Sequence, residues 1–234
     1  PNAMHFNASK LVFSDQSLGL AATYTPWLRS IGLNDVYLAY LTGFKKINDL
    51  QTVGFGLRYF SLGSIQFTDP NGTPLNTGRP NEFELSGAYA RKLSEKLSAA
   101  VTGKFIYSNL AAGNIVNGEV IEPGIAGAAD FSMTYKTPIK VSKGESDLTI
   151  GLAITNIGSK ITYTNSLFRD FLPANFGLGG AWTFNFDTHN SLTFTTDINK
   201  MLVPTPCQGL DCDQDRDGRA DYKDVSPVSA IFSS

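Results

Sequence analysis

The stretch Leu97–Tyr107, LSAAVTGKFIY, decides the fold. One face carries Leu97, Ala99, Val101, Phe105 and Tyr107, and the other carries Ser98, Ala100, Thr102 and Lys104, with Ile106 the one exception. A period of two belongs to a β-strand, whose successive side chains point to opposite sides. In EFELSGAYA, Phe83, Leu85 and Tyr89 oppose Glu82, Glu84 and Ser86. In FGLGGAWTFNF, Phe176, Leu178, Trp182, Phe184 and Phe186 oppose Gly177, Gly179, Thr183 and Asn185. Residues 36–44, 53–59, 148–154 and 192–198 alternate in the same way.

The polar faces separate two all-β architectures. A soluble sandwich turns its polar face to water and fills it with Lys and Glu, whereas these faces are Gly, Ala, Ser and Thr with scattered charge. Small polar residues suit a crowded barrel interior, and segments of about ten residues ending in aromatics suit a tilted strand that crosses a bilayer. Composition agrees. Of 234 residues, 17% are charged and 42% hydrophobic, with 22 Gly and 16 Phe, where an ordinary soluble domain carries about 25% charge. A net charge of -2 leaves no basic surface for nucleic acid. No run approaches the roughly 20 apolar residues of a spanning helix, so any span is made of strands. The opening PNAMHFNASK has no basic-then-apolar leader, so either export is excluded or the start is missing.

Loop lengths are a second test, because outer-membrane barrels alternate short periplasmic turns with long external loops. Short links are KKINDL, RKLSEK, the somewhat longer TPIKVSKGES, and DTHNS. Between them lie PWLRSIGLN, GSIQFTDPNGTPLNTGRP, LAAGNIVNGEVIE, SKITYTNSLFRDFLPA and the stretch after Met201. The expected fold is a transmembrane antiparallel β-barrel, one domain over residues 1–234, with residues 202–234 forming a long extracellular loop. About nine strands can be counted, an odd number rare in single-chain bacterial barrels, so an N-terminal piece and several C-terminal strands are expected to be missing.

The stretch DQDRDGRADYKD, residues 213–224, has the ligand spacing of an EF-hand calcium loop, with Gly218 at its sixth position. Its flanks carry prolines and no helical period, so it is no EF-hand. The expected calcium ligands are Asp213, Asp215, Asp217, the Arg219 carbonyl, Asp221 and Asp224; the bland alternative is a solvated acidic loop. Cys207 and Cys212 precede it, either as a small staple on an oxidising surface or as unpaired thiols. In YTPWLR, Pro26 fixes the start of an external loop, and Trp27 and Leu28 are either an interfacial anchor or a partner-binding hot spot. For an enzyme the inventory is poor. The only histidines are His5 and His189, and no G-x-S-x-G occurs. Glu82 and Glu84 could be a polar site, though pairing with Arg58 or Lys104 inside the barrel is the more common fate.

At NAMHFNASKLVFSD, YTPWLR, DVYLAYLTGFKKIND, LRYFSLGSIQFTDPNG, NEFELSGAYARKLS and INKMLVPTP, from Asn2 to Pro206, the chain resembles the PorV family, outer-membrane proteins of the type IX secretion system in Bacteroidetes. The resemblance implies a barrel of the FadL type with fourteen strands. It implies a non-enzymatic role: binding the SprA translocon barrel, receiving cargo by its C-terminal signal domain, and delivery to a PorU-like surface attachment complex. A FadL-like channel for hydrophobic small molecules is the alternative, and a surface lipid-modifying enzyme a third. In FadL-like proteins an N-terminal segment plugs the barrel.

Overall fold

A computed structural model describes residues 1–69, 71–111, 114–116, 119–140, 145–164, 169–187, 189–207, 212–213 and 220–233. A short helix α1 (Ala3–Phe6) and a 3-10 segment (Ala8–Phe13) precede β1 (Leu18–Pro26), β2 (Val36–Asn48), β3 (Gln51–Leu62), β4 (Ile65–Thr68), β5 (Pro74–Gly78), β6 (Asn81–Lys92) and β7 (Leu97–Asn109). There follow β8 (Ile115–Val116), β9 (Glu119–Val120), β10 (Gly124–Lys140), β11 (Glu145–Gly158), β12 (Asn175–Asn185), β13 (Ser191–Met201) and a short helix α2 (Pro227–Ser233). The fold is all-β. Nine strands make one antiparallel sheet in the order β1-β2-β3-β6-β7-β10-β11-β12-β13, and β4-β5 and β8-β9 are small hairpins inside long loops. Short connections join the strands at one end and long ones at the other, alternating as the sequence leads one to expect.

The sheet is polar on its covered face and apolar on its exposed one. On β7, Ser98, Ala100, Thr102, Lys104 and Ser108 are buried while Val101 and Phe105 are exposed. Leu41, Leu57, Leu85 and Phe105 stand in one register row across four strands, all exposed. Water would not tolerate so continuous an apolar surface, whereas lipid would. Toward the long-loop end this outer face carries Tyr24, Tyr37, Tyr59, Phe83 and Tyr107 on successive strands; rings contact at 5.2 Å (Tyr24–Tyr37), 6.0 Å (Tyr37–Tyr59) and 5.0 Å (Phe83–Tyr107). Tyr135, Trp182 and Phe194 lie toward the turn end. These are two aromatic girdles.

The N-terminal segment occupies the covered face. The Thr42 hydroxyl of β2 donates to the Pro1 carbonyl (3.4 Å), the Ser98 hydroxyl of β7 to the Ser9 carbonyl (2.8 Å), and Ser9 bonds Thr134 of β10 (2.7 Å). Asn7 Nδ2 donates to the Met133 carbonyl (3.1 Å) and to the Leu152 carbonyl of β11 (3.4 Å). In a flat sheet β2 and β11 would be about 24 Å apart, five spacings of about 4.8 Å. Six residues of helical turns, Pro1 to Asn7, span only about 10 Å, so the sheet curls around this segment as a barrel wall does. Met4, Ala8, Leu11 and Val12 then bury with Phe44 against Ala88, Ala90 and Ala100, whose small side chains make the room.

Candidate functional site

Above the N-terminal segment, toward the long loops, the interior holds a layer of charge. Arg58 donates to Glu84 (2.8 Å) and meets His5 Nε2 at 3.2 Å. Lys104 pairs with Asp130 at 2.7 Å, the two side chains 4% and 8% exposed. Asn156 ties the second pair: its backbone N–H donates to Asp130 (2.8 Å), its side-chain oxygen accepts from Lys104 (2.8 Å), and its Nδ2 donates to the Pro173 carbonyl (3.0 Å). Asn156 has φ 59°, a left-handed conformation that Asn adopts more readily than most residues, and it faces the bulge at Ala129/Phe131 that sets Asp130 in place. Two charges out of water need such saturation with hydrogen bonds. Glu84 thus pairs with Arg58, but Lys104 takes Asp130 and neither glutamate. Glu82 instead accepts from Ser108 (2.5 Å), which accepts from Tyr163 (3.0 Å).

Above this layer is a chamber of about 540 Å³ whose walls include Trp27, Leu38, Phe60, Ile106, Ile161 and Leu172, with Arg58, Glu82 and Glu84 in its floor. The loop between β11 and β12 folds inward over it. Ile161 and Leu172 bury against Ala126 with Ile106 and Tyr163 beside them, and an antiparallel bridge joins Ile161 to Asp170. A second cavity of about 790 Å³ lies between the N-terminal segment and β11–β13, and Arg58, Asn156 and Pro173 line both.

Trp27 packs edge-on against Phe60 at 5.7 Å and so lines the chamber instead of joining the outer girdle. Pro26 is the last residue of β1, paired with Tyr37. Leu28, at φ 56°, is exposed at the start of a short turn. Cys207 and Cys212 are joined as a disulfide, Cα atoms 5.6 Å apart. Of the expected calcium ligands, Asp213, Asp221 and Asp224 are described, and the Asp221 N–H donates to the Cys212 carbonyl (2.8 Å). Asp215, Asp217, Gly218 and Arg219 lie outside the described residues, and among the described residues no group of three His, Cys, Asp or Glu is placed to hold a metal. Lys223, within the acidic stretch, donates to Asp170 (2.9 Å), and Lys160 donates to the Lys223 carbonyl and stands 4.3 Å from the Phe171 ring. The hydrogen bond to Asp170 holds the Lys223 ammonium above its ordinary pKa. The last loop is therefore latched to the loop over the chamber. His189 sits in the β12–β13 turn, at the opposite end from the chamber.

A family model described as type IX secretion system protein PorV matches residues 2–208. The chain belongs to the PorV family. It is a type IX secretion system protein, and its inverted sheet is consistent with the outer membrane. No curated protein matches the chain. The PorV match ends just past Cys207, so the acidic stretch lies beyond it. Reading the sequence missed Asp130 and Asn156 as partners of Lys104. The cue was Ala129-Asp130 inside an otherwise apolar alternation, which marks a charge turned inward.

Proposed function

We propose that this PorV-family chain acts by contact in the outer membrane. It binds a SprA-like translocon barrel, receives secreted proteins by their C-terminal signal domains, and passes them to a PorU-like attachment complex, with outer-membrane lipids around its apolar face. The observation that carries this reading is the match to the PorV family over residues 2–208, supported by the N-terminal segment and the inward-folded loop, which occupy the covered side of the sheet at two levels. An interior occupied at these two levels is poorly suited to pass solutes, which leaves the loop-end surface and the outer wall for function. The same obstruction disfavours the conduit for small hydrophobic molecules. Beside this, we propose that the 213–224 stretch is a calcium loop that orders the last connection, supported by its ligand spacing and by the disulfide and the Asp221–Cys212 hydrogen bond that close it.

The test is a deletion strain assayed for secreted and cell-attached cargo, with affinity purification of the tagged protein from native membranes under mild detergent. Loss of secretion together with recovery of a very large barrel partner is expected. Normal secretion with lost uptake of fatty acids would overturn the proposal.

A further inference from the structure

We infer that the loop-end chamber is a binding site for an organic cation carried on an apolar body, a primary ammonium or guanidinium on a hydrocarbon or aromatic stem. The charges that line it do not balance. Arg58 faces three carboxylates, Glu82, Glu84 and Asp170. Arg58 is committed to Glu84 at 2.8 Å, and Asp170 is held from outside by Lys223 at 2.9 Å. Lys104 is saturated by Asp130 and Asn156 and lies outside the chamber lining. Glu82 has only the hydroxyl of Ser108, and among the described residues no basic side chain pairs with it. A carboxylate with acceptor capacity left, in a largely apolar recess, favours a cation.

The walls suit the same chemistry. Trp27 and Phe60 pack edge to face, and Phe60 is the register partner of Glu82, so an indole, a phenyl ring and the carboxylate converge on one volume. Aromatic faces attract ammonium and guanidinium groups most strongly where water is scarce. Phe171, also in the lining, already holds Lys160 at 4.3 Å. About 540 Å³ admits one long side chain or a small amphiphile. The cation can come from a lysine or arginine of a polypeptide lying across the mouth, or from a free amine.

The experiment uses the full protein in detergent with Trp182→Phe, which leaves Trp27 as the reporting tryptophan. Fluorescence titrations compare phenethylammonium with two near-isosteres, 2-phenylethanol and phenylacetate. The ammonium should bind about tenfold more tightly than the alcohol, the scale of one charge-assisted hydrogen bond, and phenylacetate more weakly than either. Glu82→Gln, which keeps the bond to Ser108, should erase the preference while alcohol binding stays. Equal binding of ammonium and alcohol, or a preference that survives Glu82→Gln in protein shown folded by heat-modifiable migration, would overturn the inference. A capped peptide with a central lysine, against the norleucine version, separates the sources. Lysine preference assigns the site to polypeptides, and its absence with phenethylammonium bound assigns it to free amines. These titrations need no translocon, so their failure is distinct from failure of the proposed secretion role.

Discussion

Val101→Arg is the sharpest test of the inverted sheet. Val101 is 56% exposed on the outer face, between Tyr89 on one neighbouring strand and Phe131 on the other. Along β7 it lies six residues from Tyr107 in the loop-end girdle and four from Leu97, which pairs with Tyr135 of the turn-end girdle. At about 3.3 Å per residue and a strand tilt near 40°, those separations are about 15 Å and 10 Å along the membrane normal, and their sum of about 25 Å is the height of an apolar band. Val101 is thus close to mid-membrane. Arginine there costs about 2 to 4 kcal/mol in a β-barrel, falling to about 0 to 1 kcal/mol near the interfaces. On a water-facing strand the same change would stay within about 0.5 kcal/mol of zero. The two environments predict effects that do not overlap.

The assay is reversible unfolding in lipid vesicles by denaturant, with folded protein read by heat-modifiable migration. Val101→Thr, similar in shape, and Asn81→Arg, beyond the girdle at the loop end, serve as controls. A loss of at least about 2 kcal/mol for Val101→Arg, against little for Asn81→Arg, is expected. Equal stabilities for all three variants would refute the assignment of this face to lipid.

Lys104→Ala should destabilise by about 3 to 5 kcal/mol by leaving Asp130 buried and unpaired, while Lys104→Met with Asp130→Leu should recover most of the loss in the same unfolding assay. Leu152→Arg, on the outer face between Met133 and Leu178, should impair assembly by an amount close to that of Val101→Arg. The Lys223–Asp170 latch carries a raised Lys223 pKa, so its contribution is complete below the ordinary lysine value and lost as pH rises through the raised one; the mobility of a spin label at residue 169 should rise only above about pH 10.5. Limited proteolysis of residues 207–224 should quicken with chelator and again with reductant, and equal cleavage throughout with no bound calcium would reduce the stretch to a solvated acidic loop.

Most of the wall was legible in the sequence because each strand has one apolar face, and a strand with one apolar face writes a strict period of two. Leu97–Tyr107 shows it with one exception, and that exception, Ile106, faces the chamber, where the interior turns apolar. The inner face was less legible, since its residues pair across the sheet and not along the chain. Glu84 with Arg58 follows from two strands in register, but Lys104 with Asp130 and Asn156 depends on a bulge and a left-handed residue that no local pattern announces. Trp27 is a third case. Spacing puts it at the start of an external loop, but only the fold shows the loop turning its ring inward onto Phe60.

The division of the interior accounts for the odd mixture of residues on the polar faces. Where the N-terminal segment packs, the sheet must give space, and it does so with Ala88, Ala90, Ala100 and Ser98. Where that segment ends, long charged side chains line the inner wall instead and pair between neighbouring strands, Arg58 with Glu84 and Lys104 with Asp130. At the mouth the same strands turn to Leu38, Phe60 and Ile106, because the inward-folded loop brings its own Ile161 and Leu172 to be covered. Each level is thus matched to a different piece of chain, and the topmost piece is tied through Asp170 and Lys160 to the last loop.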